Sequence, residues 1–376
     1  MSAVSTISSI PMTPRYIMIG GFLGAGKTTT VGRLARYYMN QGKRVGIVTN
    51  DQTTDLVDTH TLRSQGFDVG EVAGACFCCN FNELTSTVEQ LGSDERPEII
   101  LAEPVGSCTD LVATVIRPLV QVYQQPLDVA PYGVILKPSH GLRILSNSGK
   151  GGFSPKAEYI FRKQLEEADF LIINRLDELT PDQVTELTNL LQQQFPGRPI
   201  VRISARTGAG FEQLCEFLDQ RGAFGQRVME LDYDVYAEGE AELGWLNSQV
   251  VVDSPREFSL DSLLVDLIDR LRQRFDAVGA ETAHLKSIGL WEGFYGVANL
   301  VSSFTPPELS LPSNCQVKQA HVVVNARVAI DPELLSQMVR DEVAAACGAL
   351  GVTYRIETLQ SFRPGRPVPT HRITTT

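Results

Sequence analysis

The stretch RYIMIGGFLGAGKTTT, residues 15–30, decides the fold. Its opening run RYIMIG reads as a buried strand, and KTTTVGRLARYYMNQ, residues 27–41, carries the apolar period of a helix. Between them Gly21, four intervening residues, Gly26, Lys27 and Thr28 satisfy G-x-x-x-x-G-K-[ST]. A strand that turns through glycines into a helix aims backbone N–H groups and the positive helix end at phosphate oxygens. Gly21, Gly24, Ala25, Gly26 and Thr29 are therefore the expected cradle. Lys27 is expected to reach the β and γ oxygens and Thr28 to ligate Mg²⁺. The plainer reading is a glycine-rich turn followed by a surface lysine.

Outward from this loop, strand-like and helix-like segments alternate. RVGIVTN (44–50), EIILAE (98–103), YGVIL (132–136), DFLIIN (169–174) and PIVRIS (199–204) read as strands. TDLVATVIRPLVQVY, PKAEYIFRKQLEEA, TPDQVTELTNLLQQQF and GFEQLCEFLDQ read as helices between or after them. That cadence predicts an α/β fold, a P-loop domain over 15–220 with a mostly parallel sheet flanked by helices. Residues 1–14 read as an extension, 221–228 as a linker and 229–376 as a smaller α+β domain. There VMELDYDVYA and SQVVVDS are expected as strands before the amphipathic helix LDSLLVDLIDRLRQRF. HLKSIGL, YGVANLVS, a Pro-rich loop FTPPELSLP, AHVVVNARVAI, a helix over PELLSQMVRDEVAAACGAL and TYRIETL then predict a split βαβ arrangement. SNSGKGGFSP, residues 146–155, reads as a surface loop.

The base above the phosphates is indicated by IINRLDEL. Asn174 and Asp177 stand in an N-x-x-D order at a strand end, where folds of this kind bind nucleotides. A carboxylate there accepts from guanine N1–H and its exocyclic amine; adenine would leave it unpaired, at a cost of roughly 1–3 kcal/mol. Arg175 occupies the place usually held by Lys and can stack on the purine. Ser204 and Ala205, in ISARTGAG, are expected beside the base, with the Ala205 N–H directed at O6. For hydrolysis, Asp51 could orient or deprotonate the attacking water, or equally cap a turn. Glu103 is expected near Mg²⁺, and the Gly106 N–H near the γ-phosphate.

GACFCCN, residues 74–80, places Cys76, Cys78 and Cys79 within four positions. Three thiolates suit Zn²⁺ and other thiophilic ions, and a three-ligand site keeps one coordination position open. Glu71 could complete the shell or be a solvated acid. A buried apolar trio or a redox pair are the other readings. Cys108, Cys215, Cys315 and Cys347 stand alone on apolar patterns and read as core residues. The five histidines are scattered, so a histidine-rich metal reservoir is not indicated.

A net charge of −11 and the lack of a basic run argue against nucleic acid as a partner. No 18-residue apolar stretch and no leader-like N-terminus occur, so no membrane partner and a cytoplasmic location are expected. Thiols are kept reduced there, which favours metal or redox chemistry over disulfides.

The ordered set GGFLGAGKTTT, Asn50-Asp51, C-F-C-C, EPVG at 103–106 and NRLD at 174–177 resembles the CobW-type metallochaperone GTPases. These are relatives of the hydrogenase and urease nickel-insertion GTPases. The resemblance covers most of residues 15–220 and extends more loosely beyond, where YAEGEAELGWLN is similar to one branch of that family. It implies a Mg²⁺-dependent GTPase, cycling between GTP and GDP, whose Cys loop binds Zn²⁺ or a similar ion and whose nucleotide state controls delivery to a client metalloprotein. A homodimer is the assembly to look for. Two departures stand out: Ala75 directly precedes the first cysteine, where Gly is usual, and GVILKPS replaces a strand usually ending in VVDA. Two alternatives stay open: a GTP-dependent activation chaperone for a corrinoid or other metalloenzyme with only a structural ion, and an ATP-dependent small-molecule kinase.

Overall fold

The computed structural model describes residues 13–50, 62–63, 65–72, 76–91, 96–146, 154–300 and 306–375. The first sheet contains β1 (Arg15–Gly20), β2 (Val45–Asn50), β3 (Asp68–Val72), β4 (Ile99–Glu103), β5 (Asp128–Val129), β6 (Gly133–Leu136), β7 (Phe170–Ile173) and β8 (Ile200–Arg202). From edge to edge it runs β3-β2-β4-β1-β6-β7-β8, with β5 also on β1, and every pairing is parallel. Its strands are apolar on both faces because helices cover both. Ile17, Ile19 and Ile47 pack under α1 (Lys27–Asn40), whose partners there include Val31 and Leu34. Tyr16, Met18 and Val48 face the opposite layer, with Phe81 and Leu84 of α2 (Phe81–Gln90).

The chain between β4 and β6 contains a π-helical turn at Val112–Ile116 that passes into α3 (Arg117–Gln121), so the helix expected over 109–123 is shorter and wider-wound than the sequence predicts. α4 (Pro138–Leu145), α5 (Pro155–Glu167), α6 (Pro181–Gln194) and α7 (Phe211–Leu218) complete the layers. Strand β3 and helices α2 and α4 were not foreseen. They are short, and α4 opens on a Pro after an apolar strand, where periodicity has little room to register.

Residues 228–237 were expected as a strand and instead lead into helix α8 (Tyr233–Ala241). The alternation in VMELDYDVY mimics a period of two, but Asp232 caps the helix by accepting from the N–H groups of Asp234 and Val235. Its buried face is Tyr236, Gly239 and Glu240. α8 packs on α5 so closely that a Cβ at Gly239 would sit 2.8 Å from the Lys156 carbonyl. Tyr236, Leu243 and Trp245 share the core of the first sheet, so the junction to the second domain is a packed one.

The second sheet is antiparallel, ordered β12-β11-β10-β13-β9-β14 from β9 (Gly244–Ser259), β10 (Thr282–Trp291), β11 (Phe294–Leu300), β12 (Glu308–Leu311), β13 (Gln316–Val328) and β14 (Thr353–Phe362). The inner order β14-β9-β13-β10 is the split βαβ arrangement that the sequence predicts. β12 falls inside the segment expected as a Pro-rich loop. Helices α9 (Leu260–Ala277) and α10 (Pro332–Leu350) cover one face through Leu263, Leu267, Leu271, Leu335, Val339 and Val343.

Candidate functional site

All first-sheet strands run the same way, so Gly20, Asn50, Glu103, Ile173 and Arg202 end at one rim. A cleft of about 440 Å³ opens there, bordered by Gly24 to Thr29, Asn50, Glu103 to Gly106, Asn174, Arg175, Asp177 and Ala205. The second sheet supplies its other wall, including Lys286, Tyr295, Asn325 and Arg327.

The P-loop has the geometry its sequence requires. Gly21 and Gly26 take positive φ of 138° and 95°, and a Cβ would stand 2.1 Å from the Ile135 carbonyl at the first and 2.4 Å from Asn174 Nδ2 at the second. Lys27 Nζ lies 2.9 Å from the Gly21 carbonyl, inside the loop it serves. Thr28 Oγ1 donates to Glu103 Oε1 at 2.8 Å. A hydroxyl and a carboxylate meeting at a helix start are the hard oxygen donors that Mg²⁺ takes beside phosphates, so these residues fit that ion.

At the base end, Asn174 Nδ2 donates to the Ala25 carbonyl at 2.8 Å, and its Oδ1 accepts from the Ala205 N–H at 2.9 Å. Asn174 thus stitches the P-loop to the SARTG loop, and the Ala205 N–H expected at O6 is engaged by this side chain. Arg175, at φ 60°, reaches Gly24 O at 3.4 Å and Glu178 at 3.0 Å, so its guanidinium spans to the P-loop. Ser204 Oγ donates to Asp177 Oδ1 at 2.5 Å, and Arg206 pairs with the other oxygen. Burial pulls the Asp177 carboxyl upward, but these donors and the Arg206 charge hold it below its ordinary value. It is therefore ionised, as an acceptor for guanine N–H groups must be.

The thiols converge. Cys76 Sγ lies 3.1 Å from Cys78 Sγ and 3.4 Å from Cys79 Sγ, and Cys78 to Cys79 is 3.7 Å. These three form a group of potential ligand atoms within 4.8 Å of one another, and all are free thiols. The Cys79 N–H and the Asn80 N–H both bond the Cys76 carbonyl at 2.9 Å, a turn that folds the third sulfur back onto the first. Hydrogen bonds from Cys108, then from Cys78 and Cys79, hold the Cys76 thiol well below its ordinary value despite burial. The partners pay the opposite shift: the Cys76 hydrogen bond raises Cys78 and Cys108 and pushes Cys79 up to about 11. Three thiols that share hydrogen bonds, one of them more acidic than usual, are a ready starting point for a soft metal ion.

Glu71 is not in this group. It sits in β3 one residue before Val72, which is buried in the same core as Cys76 and Cys78, so strand alternation turns Glu71 to the other face. Asp51 and residues 147–153 of the expected surface loop lie outside the described residues.

Two connections join cleft and pocket. Asn50, at the tip of β2 and on the border of the cleft, accepts at Oδ1 from the Phe77 N–H at 2.8 Å and donates from Nδ2 to Val72 O at 2.9 Å. The segment after β4 is pinned residue by residue. Gln164 Nε2 donates to Gly106 O at 3.0 Å and to Cys108 O at 2.8 Å, Ser107 Oγ donates to Glu240 Oε1, and the Val112 N–H donates to buried Glu167 at 3.1 Å. Asp110, buried at φ 62°, accepts from Tyr233 at 2.8 Å and Arg372 at 2.7 Å.

The C-terminal segment straps the cysteine turn. Thr370 donates from its N–H to Cys78 O at 2.8 Å and from Oγ1 to Cys79 O at 3.0 Å, and the His371 ring stands edge-on to Phe81. Among the described residues this tail packs against the first domain.

The nucleotide-binding domain characteristic of CobW/HypB/UreG proteins matches residues 15–202. The chain belongs to the CobW/HypB/UreG family. That family consists of P-loop GTPases, and its members include metallochaperones. The chain is 27% identical over 193 residues to the zinc chaperone YeiR of Escherichia coli K12, covering 50% of this chain and 54% of YeiR. It is 29% identical over 226 residues to urease accessory protein UreG 2 of Bradyrhizobium, covering 57% of this chain and 94% of that one. With the zinc chaperone CobW of a Sinorhizobium it shares 25% identity over 218 residues, 51% of this chain and 58% of the relative. The match thus spans little more than half the length of the two zinc-chaperone relatives. Among the described residues no helix is long and apolar enough to cross a membrane.

Cys108 was read as core, and it is buried in the core that also holds Cys76 and Cys78. Two elements of this CobW/HypB/UreG site escaped the sequence reading. Glu240 and the wall of Lys286, Asn325 and Arg327 come from beyond the linker, and nothing local marks them.

Proposed function

We propose that this protein binds and hydrolyses GTP and couples its nucleotide state to the binding and delivery of a thiolate-held ion, zinc or cobalt, to a client metalloprotein. The observation that carries the reading is Asn50, one side chain that borders the nucleotide cleft and bonds the backbone between Cys76 and Cys78. A shift of the β2 tip then moves the sulfurs, and coupling of this kind is reciprocal.

In the proposed cycle the Asp177 carboxylate selects guanine, and Asn174 and Arg175 hold the base loop on the P-loop. Lys27 neutralises charge on the phosphates and the Gly106 N–H senses the third phosphate. Thr28 and Glu103 would hold Mg²⁺, which supplies charge neutralisation on the β and γ oxygens when bound. Asp51 is assigned to the attacking water.

The experiment is a Zn²⁺ titration of the full chain in nucleotide-free form, with a non-hydrolysable GTP analogue and with GDP. Different affinities are expected. Equal affinities in all three forms would eliminate delivery and leave the second reading, an activation chaperone with a structural ion.

A further inference from the structure

The three-sulfur pocket has a fourth sulfur at its wall. Cys108 is 2% exposed and lies in the same core as Cys76 and Cys78, outside the three-sulfur group itself but near enough to act on the Cys76 thiol, whereas Cys215 and Cys347 belong to other cores. It is carried on the loop of Glu103 and Gly106, and Gln164 clamps the carbonyls on both sides of Ser107, so Cys108 and the γ-phosphate-facing backbone move as one piece.

A second observation lies beside it. Glu240 is 2% exposed, Ser107 Oγ occupies its Oε1, and its Oε2 has no hydrogen-bond partner of proper geometry. The Tyr236 hydroxyl lies against the same carboxylate but is likewise without a bond of good geometry. The carboxylate is near enough to act on Cys108 and to feel Cys76. A buried oxygen left unpaired costs roughly 1–3 kcal/mol, and a cation in the adjoining pocket is what would satisfy it. The tight contact of Gly239 with α5 fixes this orientation.

We propose that Cys108 is a fourth sulfur ligand of the cargo ion, moved into or out of the pocket by the loop that faces the γ-phosphate, with Glu240 as the oxygen donor at the position Cys108 leaves. The inference rests on the delivery function above. Four sulfurs close a tetrahedron and retain the ion; three sulfurs with an exchangeable oxygen let it pass to a client. Each thiol that ligates, and the Glu240 carboxyl when it ligates, gives its proton to solvent, and no electron changes hands.

The test uses Co²⁺ as probe on the full chain, loaded with GTP analogue or with GDP, reading thiolate-to-cobalt charge-transfer intensity per bound ion. In wild type the two forms should differ by about one sulfur in four. In Cys108→Ala they should be equal at the lower value, and the ratio of Co²⁺ affinities between the forms should collapse towards one. Cys347→Ala, which removes a buried thiol elsewhere, should behave as wild type. Glu240→Gln should weaken Co²⁺ about 10–100-fold in the three-sulfur form alone. Sulfur counting on the zinc-loaded wild type by X-ray absorption needs no variant and should find four in one form and three in the other.

Three sulfurs in both forms, or wild-type intensities and affinity ratio in Cys108→Ala, overturn the Cys108 assignment. Unchanged affinity in both forms of Glu240→Gln overturns the Glu240 assignment. The delivery function fails separately, when Cys76→Ser leaves Co²⁺ binding intact.

Discussion

The phosphate cradle draws Gly21, Gly24, Gly26, Lys27 and Thr28 from eight consecutive residues, whereas the thiol group of residues 76–79 shares its core with Cys108 and with Tyr236 of α8 and is strapped at Thr370. The first is a local device whose shape follows from glycine φ values and a helix start. The second exists only when four distant parts of the chain have docked. Local geometry is robust and reusable across P-loop proteins; an assembled pocket can be opened by shifting any one of its walls. The difference predicts that lesions in the two regions separate cleanly.

The largest separation is expected from Lys27→Ala. Removing this preorganised charge should lower the GTP hydrolysis rate roughly 10²–10³-fold while Co²⁺ still binds the nucleotide-free protein. Cys76→Ser is the mirror experiment, because Cys76 is the hub that the other thiols bond. Co²⁺ affinity should fall by about 100-fold or more, judged against the 10–100-fold typical of outer-shell losses, with GTP binding near wild type. If either variant damages both activities equally, the regions are one cooperative unit and the comparison is wrong.

Within the cradle, Asp177→Asn should cost guanine discrimination alone. Losing the ionised acceptor held by Ser204 and Arg206 should reduce the preference for GTP over ATP about 10–100-fold in competition binding, the equivalent of roughly 1–3 kcal/mol. A preference for ATP that the substitution leaves unchanged would favour the kinase reading. Within the pocket, ending the chain at Phe362 removes both Thr370 hydrogen bonds to the cysteine turn and the Arg372 contact to Asp110. At about 1 kcal/mol for each of the two bonds to the turn, Co²⁺ affinity should drop roughly 30-fold, and a titration showing no change would make the strap a bystander.

The same contrast explains what the sequence disclosed. The P-loop, the parallel sheet, the NRLD and SARTG loops and the Cys-x-Cys-Cys turn were legible because each is a short motif on a strand end. The split βαβ sheet was legible because α9 and α10 have strong apolar stripes. Nearness in sequence left Glu71 open between a ligand and a solvated acid, and alternation along β3 decides its direction. Helix α8 hid behind a false period of two until its cap at Asp232 was seen, and with it went Glu240. Cys108 is one apolar-looking residue whose meaning depends on Cys76, 32 positions away, and no spacing rule connects them.

The smallest expected effect tests whether acid weakens the cradle side first. His140 is buried on α4, edge-on to Phe22 of the P-loop, and burial together with Lys137, Arg143 and Arg175 holds it well below its ordinary value of 6.5. The folded protein keeps it neutral, while the unfolded chain takes up a proton below about pH 6.5, so this group's contribution is full above that value and is lost as pH falls. Buried acids act in the opposite sense: burial pushes Glu240 up to about 8, so the folded state binds its proton more readily and gains stability as pH falls from that value. The two signs overlap between pH 7 and 5, and the parent's profile alone cannot separate them. The difference between parent and His140→Gln can, because Glu240 is common to both. Urea unfolding should show the variant losing less stability than the parent across this window, by at most about 1.4 kcal/mol per pH unit for one proton. Identical slopes would show that His140 finds a way to protonate in the fold, and that the cradle side is looser than its packing implies.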